Sequence, residues 1–166
     1  MSRVAINNKD NIFIDTNILI FILYPTNQSH KHARYIRVIS TVQQRQCQMF
    51  INSLVVSEFI NKLLRDDFYK LKEENPSIEQ FKRDYRNTQN YSDTLRFAIT
   101  ELDKFCKMYN VAHINDDFDK VNIYSLYANG YEFDFNDLII AESVRSNGFK
   151  LLTDDKDFQN LNVALI

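Results

Sequence analysis

Chain-breaking residues are scarce, with two glycines and two prolines in 166 residues. So few breakers favour a helix-rich chain. Cysteine is equally rare. Cys47 and Cys106 stand alone, which argues against a disulfide framework and reads as two small buried hydrophobes. His30 and His32 form an H-x-H, but no cysteine or further histidine cluster accompanies them. A zinc site is therefore not indicated, and they read as surface or cap histidines. No apolar run reaches the roughly 18 to 20 residues of a membrane span. The apolar stretch 18–24 follows Asp15 and Asn17 and has neither the basic lead nor the small-residue cleavage site of a secretory signal. These absences predict a cytoplasmic protein with no membrane partner.

What is present fits one globular domain spanning 1–166. Hydrophobic residues make up 45%, enough for a core without disulfides or a structural metal. There is no internal repeat and no low-complexity tract. The net charge of −2 at first disfavours a polyanionic ligand. That balance changes if four carboxylates share a cation, because 22 acidic residues less four leaves 18 against 20 basic ones.

The apolar pattern predicts strands over 11–14, 48–52, 111–114, 150–153 and 162–165. Helices are predicted over 18–23, 29–44, 54–65, 92–109, 118–128 and 136–147. Ser53 is the expected cap of the helix over 54–65. The stretch 66–90 is strongly charged and interrupted by Pro76, with Ile78, Phe81 and Tyr85 at helical spacing. It reads as a helical insertion, either a solvated helical pair or a clamp or dimer arm using Lys70, Lys72, Lys82, Arg83 and Arg86. Strands alternating with helices indicate an α/β fold with a short, mostly parallel five-stranded sheet. In such sheets, ligands collect outside the carboxyl ends of the strands.

Four segments put carboxylates at those ends or near helix starts. Asp15 follows the first strand. Glu58 sits one turn into a helix, where an exposed Glu58–Lys62 pair is the plain alternative. Asp134 and Asp137 open another helix, where acids also suit the helix dipole. Asp154, Asp155 and Asp157 crowd directly behind the fourth strand. Crowded carboxylates raise one another's pKa unless a cation neutralises them. Mg²⁺ takes oxygen ligands and often needs only one or two direct carboxylates. A receiver-like or phosphatase-like domain is disfavoured, since Asn17 stands where a D-x-D phosphatase needs its second aspartate and Lys156 is poorly placed for a receiver.

The segments Phe13-Ile-Asp-Thr-Asn-Ile-Leu, Val55-Val-Ser-Glu-Phe, Asn136-Asp-Leu-Ile-Ile-Ala-Glu and Leu152-Thr-Asp-Asp-Lys-Asp-Phe occur in order over nearly the whole chain. In them the chain resembles the PIN-domain family of ribonucleases, and within it the VapC-like toxins of toxin–antitoxin pairs. The resemblance implies a three-layer α/β/α fold and a Mg²⁺- or Mn²⁺-dependent endoribonuclease. It implies an RNA substrate, a cognate antitoxin and a homodimer. Asp15, Glu58, Asp137 and Asp155 would be catalytic metal ligands, Asp137 being preferred to Asp134 and Asp155 to Asp154. Asn17, Thr153, Asp157 and Ser57 would support them. The stretch 66–90 is longer than such toxins usually have. The alternative function is a catalytically inactive PIN-like module that binds RNA or protein.

Overall fold

Ile12, Phe13 and Ile14 have no exposed surface, although successive strand residues point to opposite faces. The strand that holds them, β1 (Asn11–Ile14), is therefore covered on both sides, as parallel strands between helical layers are. The structure, a computed structural model, describes residues 4–24, 29–116, 118, 121–124 and 133–166. Four further strands complete the sheet: β2 (Gln48–Ile51), β3 (Ala112–His113), β4 (Lys150–Leu152) and β5 (Ala164–Leu165). All pairings are parallel and the order is β3-β2-β1-β4-β5. Ile12 lies opposite Met49 on one side, and Phe13 opposite Leu151 on the other.

This order places a topological switch between β1 and β4. The chain builds outward from β1 through β2 to β3, then returns to the other side of β1. Connections leaving β1 and β4 diverge there and open a crevice at the carboxyl edge.

The helices are α1 (Thr16–Leu23), α2 (Ser29–Gln44), α3 (Ser53–Glu74), α4 (Gln89–Tyr109) and α5 (Phe135–Ser146). Gly148, at φ +65°, supplies the left-handed turn after α5, a conformation glycine adopts without a Cβ penalty. Among the described residues no helix is long and apolar enough to cross a membrane. The helix expected over 118–128 falls largely outside the described residues.

Three of the differences from the sequence expectation have a clear local cause. Asn52, not Ser53, caps α3, its Oδ1 accepting from Val55 N at 3.1 Å. α3 runs on to Glu74 rather than stopping near Arg65, because Leu64 and Phe68 bury themselves against Tyr85 in a second small core. Residues 78–84 run as irregular chain and then turns into a 3-10 turn over Tyr85–Asn87, not an α-helix. Here Asp84 Oδ2 accepts from the N–H groups of Glu79 and Gln80, a local bonding pattern that competes with the helical ladder. Within this stretch Phe68 and Tyr85 are buried, while most of the other side chains are exposed. Cys47 and Cys106 are free and only half-buried.

Candidate active site

Asp15 ends β1 and caps α1. Its Oδ1 accepts from Thr16 N at 2.6 Å, and its Oδ2 accepts from Thr153 Oγ1 at 2.5 Å. The side chain is a buried polar group in the crevice, with the residue 5% exposed. Burial, followed by the charges of Glu58 and Asp155, pushes its pKa up to about 6 against these two hydrogen bonds.

Glu58 reaches the same place from α3. Its Oε2 accepts from Thr16 Oγ1 at 2.7 Å and its Oε1 from Asn136 Nδ2 at 2.9 Å. The simple Glu58–Lys62 helix pair does not form. Lys62 Nζ bonds Asp66 Oδ1 at 2.7 Å instead.

Asp137 stands in the first turn of α5. Burial, then the charges of Asp15, Asp155, Glu58 and Asp134, push it up to about 7. A like charge acts on a carboxylate only from nearby, so these acids stand close to Asp137. Asp134 occupies the cap position of α5 without a side-chain cap bond and also lines the groove.

The loop after β4 sorts its aspartates by direction. Asp155 lines the groove, its N–H donating to Thr153 Oγ1 at 2.9 Å and its Oδ1 accepting from Asp157 N at 2.9 Å. Asp154 turns toward α2, where it meets Lys31 Nζ at 2.9 Å and the Tyr35 hydroxyl. Those donors hold its pKa below the usual carboxylate value although burial opposes them. Asn17 ties the two loops together, donating to Thr153 Oγ1 at 3.2 Å and accepting from Asp154 N at 3.2 Å.

Asp15, Glu58, Asp137 and Asp155 therefore line one open groove of about 340 Å³, with Asn17 and Asp157 at its wall. Ser57 does not join them. Its Oγ accepts from Asn61 Nδ2 at 3.2 Å and it lines a neighbouring hollow beside His113. Sequence reasoning passed over Thr16 and Asn136, the two groups that hold Glu58. Each is the immediate neighbour of a predicted acid, and that adjacency was the available signal.

A family model for the PIN domain matches residues 12–164. The chain belongs to the PIN domain family. Among solved structures, this PIN domain is similar to a chain in the crystal structure of VapBC2 from Rickettsia felis bound to a DNA fragment from their promoter. The TM-score is 0.56 at 16% identity, over 94% of this chain and 97% of that one. No curated protein matches the chain.

The donor set suits a hard divalent cation. It is all oxygen, and among the described residues none of the four acids is ion-paired with a lysine, arginine or histidine. Among the described residues, no three His, Cys, Asp or Glu side chains close into a ready-made ligand cluster.

Proposed function

We propose that this PIN domain is a metal-dependent endoribonuclease, the toxin of a toxin–antitoxin pair, and that Asp15, Glu58, Asp137 and Asp155 hold its Mg²⁺ or Mn²⁺. The observation that carries the reading is the shared groove lined by Asp15, Glu58, Asp137 and Asp155, where burial first and then neighbouring acids push Asp15 and Asp137 above the usual carboxylate pKa. Four acids from four chain segments meet in one crevice at the switch point of the sheet, without a partner cation among the described residues.

When bound, the divalent ion supplies the activation of water and the stabilisation of charge that phosphodiester hydrolysis needs. The chain's own groups do the positioning. Thr16 and Asn136 each donate to one oxygen of Glu58, which fixes the carboxylate plane. Thr153 does the same for Asp15. Asn17 and Asp157 hold the β4 loop so that Asp155 faces the groove. Such outer hydrogen bonds orient metal ligands in general.

The neighbouring structure is a VapBC2 assembly, which supports an antitoxin partner here. A homodimer is part of the same proposal. The test is incubation of purified protein with single-stranded RNA and Mn²⁺ or Mg²⁺. Internal cleavage that stops on chelation, and that Asp15→Asn abolishes while the fold persists, supports the reading. Cleavage by Asp15→Asn at the wild-type rate contradicts it.

A catalytically inactive binding module is the second reading. It draws on the carboxylates not being preclustered among the described residues. Under it, Mn²⁺ titration gives no saturable binding.

A further inference from the structure

Helix α2 carries Lys31, Arg34, Arg37, His30 and His32 and no acidic residue in its 16 positions, although acids outnumber bases 22 to 20 in the chain. An ordinary solvated face intersperses both signs.

Two of these basic side chains, Lys31 and Arg34, are held in place. Phe21 of α1 and Tyr35 of α2 stack with ring centroids 5.6 Å apart and planes 10° apart. Lys31 Nζ lies 4.5 Å from the Phe21 centroid, and the Arg34 guanidinium lies 5.1 Å from the Tyr35 centroid. Cations over aromatic faces are attracted by the ring quadrupole. Both also face one carboxylate, Asp154, with Lys31 at 2.9 Å and Arg34 at 3.6 Å. One carboxylate between two cations leaves positive charge over. Arg34 is loosely engaged and its side chain is 53% exposed, so its fork of donors remains open to solvent.

The position matters as much as the charge. Asp154 directly precedes Asp155, which lines the acidic groove. The groove repels a polyanion, whereas a cationic edge attracts one. Guanidinium groups match phosphate oxygens in a bidentate fork.

We propose that Lys31 and Arg34 form a phosphate-binding lip that grips the backbone of single-stranded RNA beside the acidic groove. This rests on the nuclease reading for the identity of the strand. The lip contributes affinity without reading bases, since phosphate contacts position a strand and carry no sequence information.

The test is fluorescence anisotropy of a labelled unstructured RNA over a range of salt. It compares full-length chains carrying Asp15→Asn, to prevent cleavage, with and without Arg34→Gln. Arg34→Gln is expected to weaken binding roughly tenfold at low salt. It should also flatten the slope of log K against log salt by about 0.7 to 1. Equal affinity and equal slope overturn the proposal and leave Lys31 and Arg34 as a structural tie between α2 and the β4 loop. Thermal melting of Arg34→Gln is measured alongside. If that variant melts early, Arg34→Lys serves in its place, keeping the charge but not the fork, and should recover the salt slope. Cleavage by the wild type, assayed separately, reports on the nuclease reading alone. A chain that binds through the lip but does not cut sinks that reading, and one that cuts but is blind to Arg34 sinks the lip.

Discussion

Thr153 Oγ1 donates to Asp15 Oδ2 at 2.5 Å, joining the loop after β4 to the end of β1. The same oxygen accepts from Asn17 Nδ2 at 3.2 Å and from Asp155 N at 2.9 Å. One donor and two acceptor sites are all a hydroxyl has. Thr153 is buried, so nothing from solvent replaces these bonds readily. Thr153→Val keeps the shape and removes all three. It should lower stability by about 1 to 3 kcal/mol, read from denaturant unfolding, and slow cleavage. Thr153→Ser should recover most of both.

Asp137→Asn separates function from fold. Removing one charge from the crowded groove relieves repulsion, so the metal-free variant should melt no lower than wild type near neutral pH. Its RNA cleavage should fall by more than the roughly 10- to 100-fold typical of losing an outer hydrogen-bond partner. Paired melting curves and initial cleavage rates check both halves. A variant that melts early and cleaves normally goes against the assignment.

The two raised carboxylates also set a pH dependence. Asp15 is pushed up to about 6 and Asp137 to about 7, from an ordinary value of 3.8. The folded chain therefore holds protons that the unfolded chain has already released. That contribution to stability is complete below about pH 4 and is lost as pH rises through about 6 and 7. In chelator, the melting temperature should fall between about pH 5 and pH 8. Added Mn²⁺ should raise it far more at the upper end, where the ligands are deprotonated. Differential scanning fluorimetry at both ends, with and without metal, reads the sign directly.

The sheet and the acids were legible because each depends on local pattern. Ile12-Phe-Ile and Leu151-Leu are continuous apolar runs; Asp15 follows the first directly and Asp155 stands three positions past the second. The distinction between Asp154 and Asp155 was not local. It is decided by Lys31 and Tyr35, which reach Asp154 from more than a hundred residues away. The partners of Glu58 were hidden for the same reason, since Thr16 is 42 positions off and Asn136 is 78. The overrun of α3 was masked by Asp66 and Asp67, whose charges interrupt an apolar face that Phe68 continues.

That overrun makes its own prediction. Phe68 packs among Leu64, Phe81 and Tyr85, and the Tyr85 hydroxyl donates to Asp67 Oδ2 at 2.7 Å. Phe68→Ala should cost about 3 kcal/mol of stability. The folded fraction should still cleave at the wild-type rate, because this cluster stands apart from the groove. A stability loss under about 0.5 kcal/mol, the range of ordinary surface changes, would show the small core to be loosely formed.

Calorimetric titration of Mn²⁺ into the wild-type chain and into Asp15→Asn bears most directly on whether the groove is a cation site. Saturable binding to the wild type, absent from Asp15→Asn, is the predicted result. No saturable heat from the wild type, or equal heats from both proteins, would contradict it.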